Sequence, residues 1–220
     1  MQSETPVPLQ IPARRSTTSP PAAPPALPEA AEKVTPLTLE TLVRRQAGTR
    51  VESIRQTVTR TADRVHTASS DGREWLFERN TRDRRRAFGT LIDHASRTLV
   101  LYDESELRNM LGIRGWAQVL SLGFDHELLE GLEKKTASRT IDTVRVVRHA
   151  TDRKDVELRE VWWSETHFLP GGFTSVQGAA SLQFSVQRIR TGVDATLLRP
   201  AGERFPSHQM IDLADWLERH

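Results

Sequence analysis

The sequence predicts a mainly β domain of antiparallel strands with a few short helices, carried behind a disordered proline-rich tail. Three observations predict it. Leu182, Phe184 and Val186 alternate with Ser181, Gln183, Ser185 and Gln187, the period-two pattern of a strand with one buried face. Asp71-Gly72 falls between two apolar runs, where a tight turn between antiparallel strands needs a residue free to take positive φ. Residues 1–36 hold nine prolines among Ala, Ser and Thr, with no apolar periodicity and few backbone donors, so they cannot build a core.

Taken in order, residues 37–50 place Leu39, Leu42 and Val43 at the spacing of a short helix that opens a domain running to 220. Residues 54–67, rich in Thr and Val, read as one strand. After the Ser69–Gly72 turn, 74–78 form a strand with Trp75 and Phe77 on one face. A charged turn over 80–86 leads to strands at 90–94 and 98–102, completing an antiparallel meander of four. Residues 103–133 change character and predict a helical insertion. Asp103 and Glu106 have capping-box spacing ahead of Leu107, Met110 and Leu111, and Gly112 ends that helix. Trp116, Val119 and Leu120 repeat the helical pattern up to Gly123, and Asp125 caps a third piece with Leu128, Leu129 and Leu132. Strands return with Val144, Val146 and Val147, and with 156–164, which ends in Trp162-Trp163. Residues 168–173 read as a turn, 181–187 as a strand, 193–197 as a weaker repeat of it, and 210–219 as a closing helix with Leu213, Trp216 and Leu217 inward.

The bulk numbers narrow the function. Without the tail, about 180 residues remain, enough to bury roughly 70% of the unfolded surface without a metal or disulfide staple. There is no Cys, which removes thiol nucleophiles, Cys-ligated zinc, Fe–S clusters and disulfides. The formal net charge of +2 lacks the basic excess of a nucleic-acid binder. No apolar run is long enough to span a bilayer, so contact with a membrane is expected to be peripheral at most. The start shows no basic n-region or apolar h-region, as expected of a mature form whose leader has been removed. The seven His show no H-E-x-x-H, and no G-x-S-x-G or P-loop is present. Asp93-His94 diverge on a strand, and Asp125 beside His126 is a helix cap. The expectation is no catalytic residue, no metal and no cofactor.

Several stretches together carry a resemblance. They are Trp75-Leu76-Phe77-Glu78-Arg79-Asn80 followed by Arg84-Arg85-Arg86, Gly89-Thr90-Leu91-Ile92-Asp93 before Tyr102, Glu160-Val161-Trp162-Trp163-Ser164 with Leu169-Pro170 five residues later, and the run Ile211 to Leu217. Over residues 54–219 the chain resembles the superfamily of the bacterial lipoprotein carriers LolA and LolB and the sensor RseB, and specifically the outer-membrane lipoprotein-sorting-like proteins. The resemblance implies a curved antiparallel sheet, an incomplete β barrel, whose concave face is covered by short helices. It implies a binding module of the periplasm that holds a lipid, a lipoprotein acyl chain or another amphiphile there, with envelope proteins as further partners. Lid positions would be Met110, Trp116, Leu120 and Phe124. Sheet positions would be Trp75, Phe77, Leu99, Leu101, Trp162, Trp163 and Phe184. The two tryptophans cannot both face inward on a regular strand, so one belongs to an edge, a lid contact or an interface. Two alternatives stand beside this: an interaction, sensor or assembly module with a filled core, and a secreted effector or cytoplasmic protein.

Overall fold

In the computed structural model of the chain, residues 28–153 and 155–218 are described. The tail expected at 1–36 therefore lies outside the described residues up to residue 27. Its last part does not behave as a tail. Helix α1 (Glu29–Glu32) buries Ala31, and Val34 follows it into the core.

The strands are β1 (Leu37–Ala47), β2 (Arg50–Arg60), β3 (Arg64–Ser69), β4 (Glu74–Arg79), β5 (Ala87–Asp93), β6 (Thr98–Tyr102), β7 (Glu133–Ile141), β8 (Val144–Ala150), β9 (Leu158–Ser164), β10 (Leu169–Gln177), β11 (Ala180–Thr191) and β12 (Gln209–Asp212). They form one open sheet in the order β12-β6-β5-β4-β3-β2-β1-β11-β10-β9-β8-β7. Neighbours are antiparallel except β12, which pairs parallel with β6. Two meanders, β1–β6 and β7–β11, are joined where β1 meets β11. The link from β6 to β7 must then run from one end of the sheet to the other. That link is the helical insertion, which topology alone places across a sheet face. It contains α2 (Glu104–Leu111), α3 (Trp116–Leu120) and a 3-10 turn (His126–Gly131). Two short helices, α4 (Ala201–Arg204) and α5 (Leu213–Glu218), lie near the C-terminus.

Five expectations are corrected. Residues 37–47 are a strand, because Leu37, Leu39, Thr41 and Val43 alternate buried against half-buried neighbours and pair on both sides with β2 and β11. The stretch 54–67 is two strands. Thr61 turns the chain between them, its Oγ1 accepting from the Asp63 and Arg64 amides. The break at 168–173 is confined to Phe168, at φ 48°, after which β10 begins. Pro170 sits inside that strand because a register shift between Pro170 and Gly172 absorbs its missing donor. Residues 193–197 form no strand and turn at 195–198, with Asp194 accepting from Thr196. The closing helix starts only at Leu213, after β12, and Leu217 points outward. Strand β7 was not expected. It is exposed almost throughout, so it carries no alternation to read.

Candidate lid-covered cleft

The insertion is built as a lid. Asp103 and Glu106 close the capping box reciprocally at 2.8 and 2.7 Å, and Gly112 ends α2 in the left-handed region at φ 67°. Leu107 of α2 approaches β5 so closely that a Cβ at Gly89 would stand 2.8 Å from it. Glycine at 89 therefore sets the depth at which α2 seats. Helix α3 is fastened by Trp116, whose indole N–H donates to the Ala62 carbonyl at 2.8 Å while its amide donates to Arg85 O at 2.7 Å.

A third fastening comes from a residue that sequence reasoning missed. Arg60, the last residue of β2, is completely buried. Its guanidinium donates to Leu120 O at the end of α3 (2.5 Å), to Phe168 O (3.1 Å) and to His167 O. No carboxylate accepts from it among the described residues. Burial pulls its pKa down to about 9, which still leaves it charged at neutral pH. A lone Arg at a strand end has no sequence signal of burial. The left-handed turn it holds together at Phe168 was equally silent.

Beneath the lid the sheet is apolar. Trp75 stacks on Phe77 with centroids 5.5 Å apart and packs against Tyr102 at 5.0 Å. Farther along, Phe124 from the lid meets Trp163 at 5.7 Å and Phe173 at 5.5 Å, and Phe173 stacks on Phe184 at 5.1 Å. Between β1–β4 and the lid a cleft of about 90 Å³ remains. Its floor includes Val43, Ile54, Val58, Val65, Trp75, Phe77 and Phe184, and its roof Leu111, Ile113, Val119 and Leu122. Arg45, Asp71 and Arg73 stand at its rim. Leu122 and Gly123, which end α3 at the cleft, both have positive φ, 56° and 82°.

The expected site residues separate into three groups. Trp75, Phe77 and Phe184 line the cleft. Trp116, Leu120, Phe124 and Trp163 are buried in the core around it, and Met110 is partly buried against that core. Leu99, Leu101 and Trp162 are elsewhere, a correction that follows from strand parity. Val100 and Tyr102 take the lid-side positions of β6, so Leu99 joins Leu76 and Ile92 in a second cluster on the other face, and Leu101 is exposed there. Trp163 points in, so its neighbour Trp162 points out, under the Arg139 guanidinium at 4.5 Å.

That other face holds a buried ionic cluster. Glu74 accepts from His66 (2.6 Å), His94 (2.7 Å) and Arg204 (2.5 Å), the last brought over by α4. Burial pushes the Glu74 carboxyl upward, but the three hydrogen bonds outweigh it and hold the pKa at about 2. The arginine run after β4 is paired off. Arg84 joins Arg79 on Glu32, Arg85 and Arg86 share Asp83, and Arg86 also reaches Glu104. Arg108 pairs with Glu104, and Arg114 with Asp125 and Glu127. A Ser164–His167 contact at 3.3 Å has no carboxylate orienting the imidazole among the described residues. No group of three metal-ligating side chains occurs among the described residues, and no described helix is long and apolar enough to cross a membrane.

The sequence matches no protein-family model and no curated protein. Among solved structures it is similar to a LolA superfamily protein from Nitrosomonas europaea (TM-score 0.37, 8% identity, covering 78% of this chain and 94% of that one). It is also similar to an uncharacterized conserved protein from Thermus thermophilus (TM-score 0.44, 10% identity, 81% and 90%). MucB is a third, at TM-score 0.39 and 14% identity over 80% of this chain and 58% of MucB.

Proposed function

We propose that the protein is a non-enzymatic binding module of the cell envelope, in the periplasm, that takes an apolar chain of a lipid, lipoprotein or other amphiphile between its sheet and its lid. The observation that carries this reading is the apolar cleft itself, roofed by short helices fastened at a few polar points. Apolar walls accept alkyl groups at roughly 25 cal/mol per Å² buried. Trp75, Phe77 and Phe184 form the wall, Leu111, Ile113, Val119 and Leu122 the moving roof, Met110, Trp116, Leu120 and Phe124 the lid's packing around it, and Trp163 the support behind Phe124.

The cleft volume of about 90 Å³ is well below the roughly 300–1,000 Å³ of pockets that hold drug-sized ligands. An acyl chain then requires α2 and α3 to lift. The same small volume favours a second reading, an interaction module whose sheet face is filled by its own lid and whose partners are proteins.

Native mass spectrometry, with organic extraction of co-purified material and titration with a fluorescent fatty acid, separates the two. A stoichiometric lipid, or saturable probe uptake abolished by Ile54→Trp at the cleft floor, is the expected result. An empty protein that takes up no probe sinks the amphiphile reading and leaves the interaction module.

A further inference from the structure

The sheet face turned away from the lid carries a polar trough across β2, β1, β11 and β10. Two recesses of about 580 and 390 Å³ meet at Leu42 and Gln187. Strand register decides which charges face it. Arg55 stands opposite Leu42, Arg188 opposite Glu40, Arg190 opposite Thr38, and Arg148 opposite Trp162. Arg44 and Arg139 line the trough directly. Two carboxylates share this surface, and both are already occupied. Glu160 accepts from Arg148 and from the Trp162 indole, each at 2.7 Å. Glu40 pairs with Arg190 at 2.5 Å and faces Arg188 at 3.8 Å. Arg44, Arg55 and Arg139 have no ion-pair partner among the described residues. Arg139 lies over the Trp162 ring, 4.5 Å from its centroid, its Nη2 3.4 Å from Gly171 O. Six arginines against two glutamates make the region of the trough cationic in a chain whose total charge is only +2.

We propose that this trough binds an extended acidic polypeptide segment. Guanidinium groups present planar pairs of donors that match carboxylates, and clustered arginines are a recurring means of recognising acidic motifs. From Arg55 on β2 across β1 and β11 to Gly172 on β10 there are three strand spacings, about 14 Å at ~4.8 Å each, which is the span of about four extended residues. The span excludes a single small anion as the fitting ligand. A flat membrane surface fits less well than a chain, because the arginines line recesses. Of the exposed large apolar side chains, Val51 at the β1–β2 hairpin is the one on the strands of the trough, while Phe88 and Leu101 lie on β5 and β6, so the trough offers little to insert. The proposal is independent of the lid cleft, which lies on the other side of the sheet.

Fluorescence anisotropy with a labelled decapeptide of alternating Glu and Gly tests it. Saturable binding that weakens as salt is raised is expected, with Arg44→Glu/Arg55→Glu weakening it at least about tenfold. The control Arg82→Glu/Arg199→Glu makes the same change in net charge away from the trough and should leave affinity within about twofold. Should the trough double variant fail to fold by circular dichroism, Arg44→Ala/Arg55→Ala serves, with a smaller loss expected. No binding at low salt, or equal loss in trough and control variants, overturns the proposal. So does binding to phosphatidylglycerol vesicles or a single-stranded oligonucleotide, lost in the trough variant, when the peptide does not bind.

Discussion

Arg60 and Glu74, two buried charges on opposite faces of one sheet, are satisfied in opposite ways. On the lid side Arg60 is surrounded by three carbonyl oxygens and no acid. On the far side Glu74 is surrounded by two histidines and Arg204. The partners of Arg60 come from the end of α3 and from the β9–β10 turn, so its bonds exist together only while the lid is seated. The partners of Glu74 come from β3, from the end of β5 and from α4, so they fix the C-terminal segment to the sheet. A site satisfied by dipoles can open without stranding an opposite charge. A site satisfied by ions cannot. Under the proposed function the Arg60 site is the one that opens, while the Glu74 site stays closed.

Breaking the ionic site should have the largest effect. Glu74→Ala leaves Arg204 buried without its acid and is expected to cost about 3–5 kcal/mol in urea unfolding. A loss below about 1 kcal/mol would show that water already does the work of the carboxylate. The pH dependence follows from the same group. Its pKa is lowered from 4.5 to about 2 in the fold, so its stabilisation is complete above 4.5 and is lost as the pH falls toward 2. Glu74→Gln should flatten the wild-type loss of stability across that window. An unchanged acid limb in the variant would assign acid sensitivity to other carboxylates.

The dipolar site should respond less and more locally. Arg60→Met orphans the carbonyls of Leu120, His167 and Phe168 but also removes a desolvated charge. The net cost should be about 2 kcal/mol. Hydrogen exchange should quicken through α3 and the turn at 121–124 while β4–β6 stay protected. Uniform quickening across the sheet would make Arg60 a general core residue and remove the distinction between the faces.

Much of this contrast was invisible in the sequence, and the reasons are physical. The lid was legible because capping and helical spacing are local. Asp103 with Glu106, and Trp116 with Val119 and Leu120, speak for themselves within a few residues. Strand β11 reads well because it has one wet face, and β4 because its apolar run follows directly on the Asp71-Gly72 turn. Strand β1 reads as a helix because Leu39, Leu42 and Val43 stand at i, i+3 and i+4, while Leu37, Leu39 and Val43 fit the period of a strand equally well, and only the pairing with β2 and β11 decides between them. Leu99 and Leu101 looked like pocket walls because alternation gives a parity and not a side. Val100 and Tyr102 claimed the lid side instead. Arg60 and Glu74 needed contacts 60 to 130 residues away, to Leu120 and to Arg204, which no local pattern encodes. Half of the Trp162-Trp163 reading followed from parity alone, since one of the pair had to face outward.

The smallest expected effect sharpens the contrast most. Trp116→Phe keeps a ring in the core and deletes one hydrogen bond, from the indole N–H to Ala62 O, for about 1 kcal/mol. Global stability should hardly distinguish this variant from wild type. The lid should, because that bond and the Arg60 bonds hold the two ends of the same five-residue helix. Weakening either end raises the population of the lifted lid without changing the apolar walls below it. Stopped-flow uptake of a fluorescent fatty acid should therefore quicken in Trp116→Phe and in Arg60→Met, with affinity rising alongside, while Glu74→Gln leaves the uptake rate at the wild-type value. Equal rates in all three variants would mean that the cleft fills without lifting the lid. Faster uptake in Glu74→Gln alone would reverse the assignment and make the ionic face the one that moves.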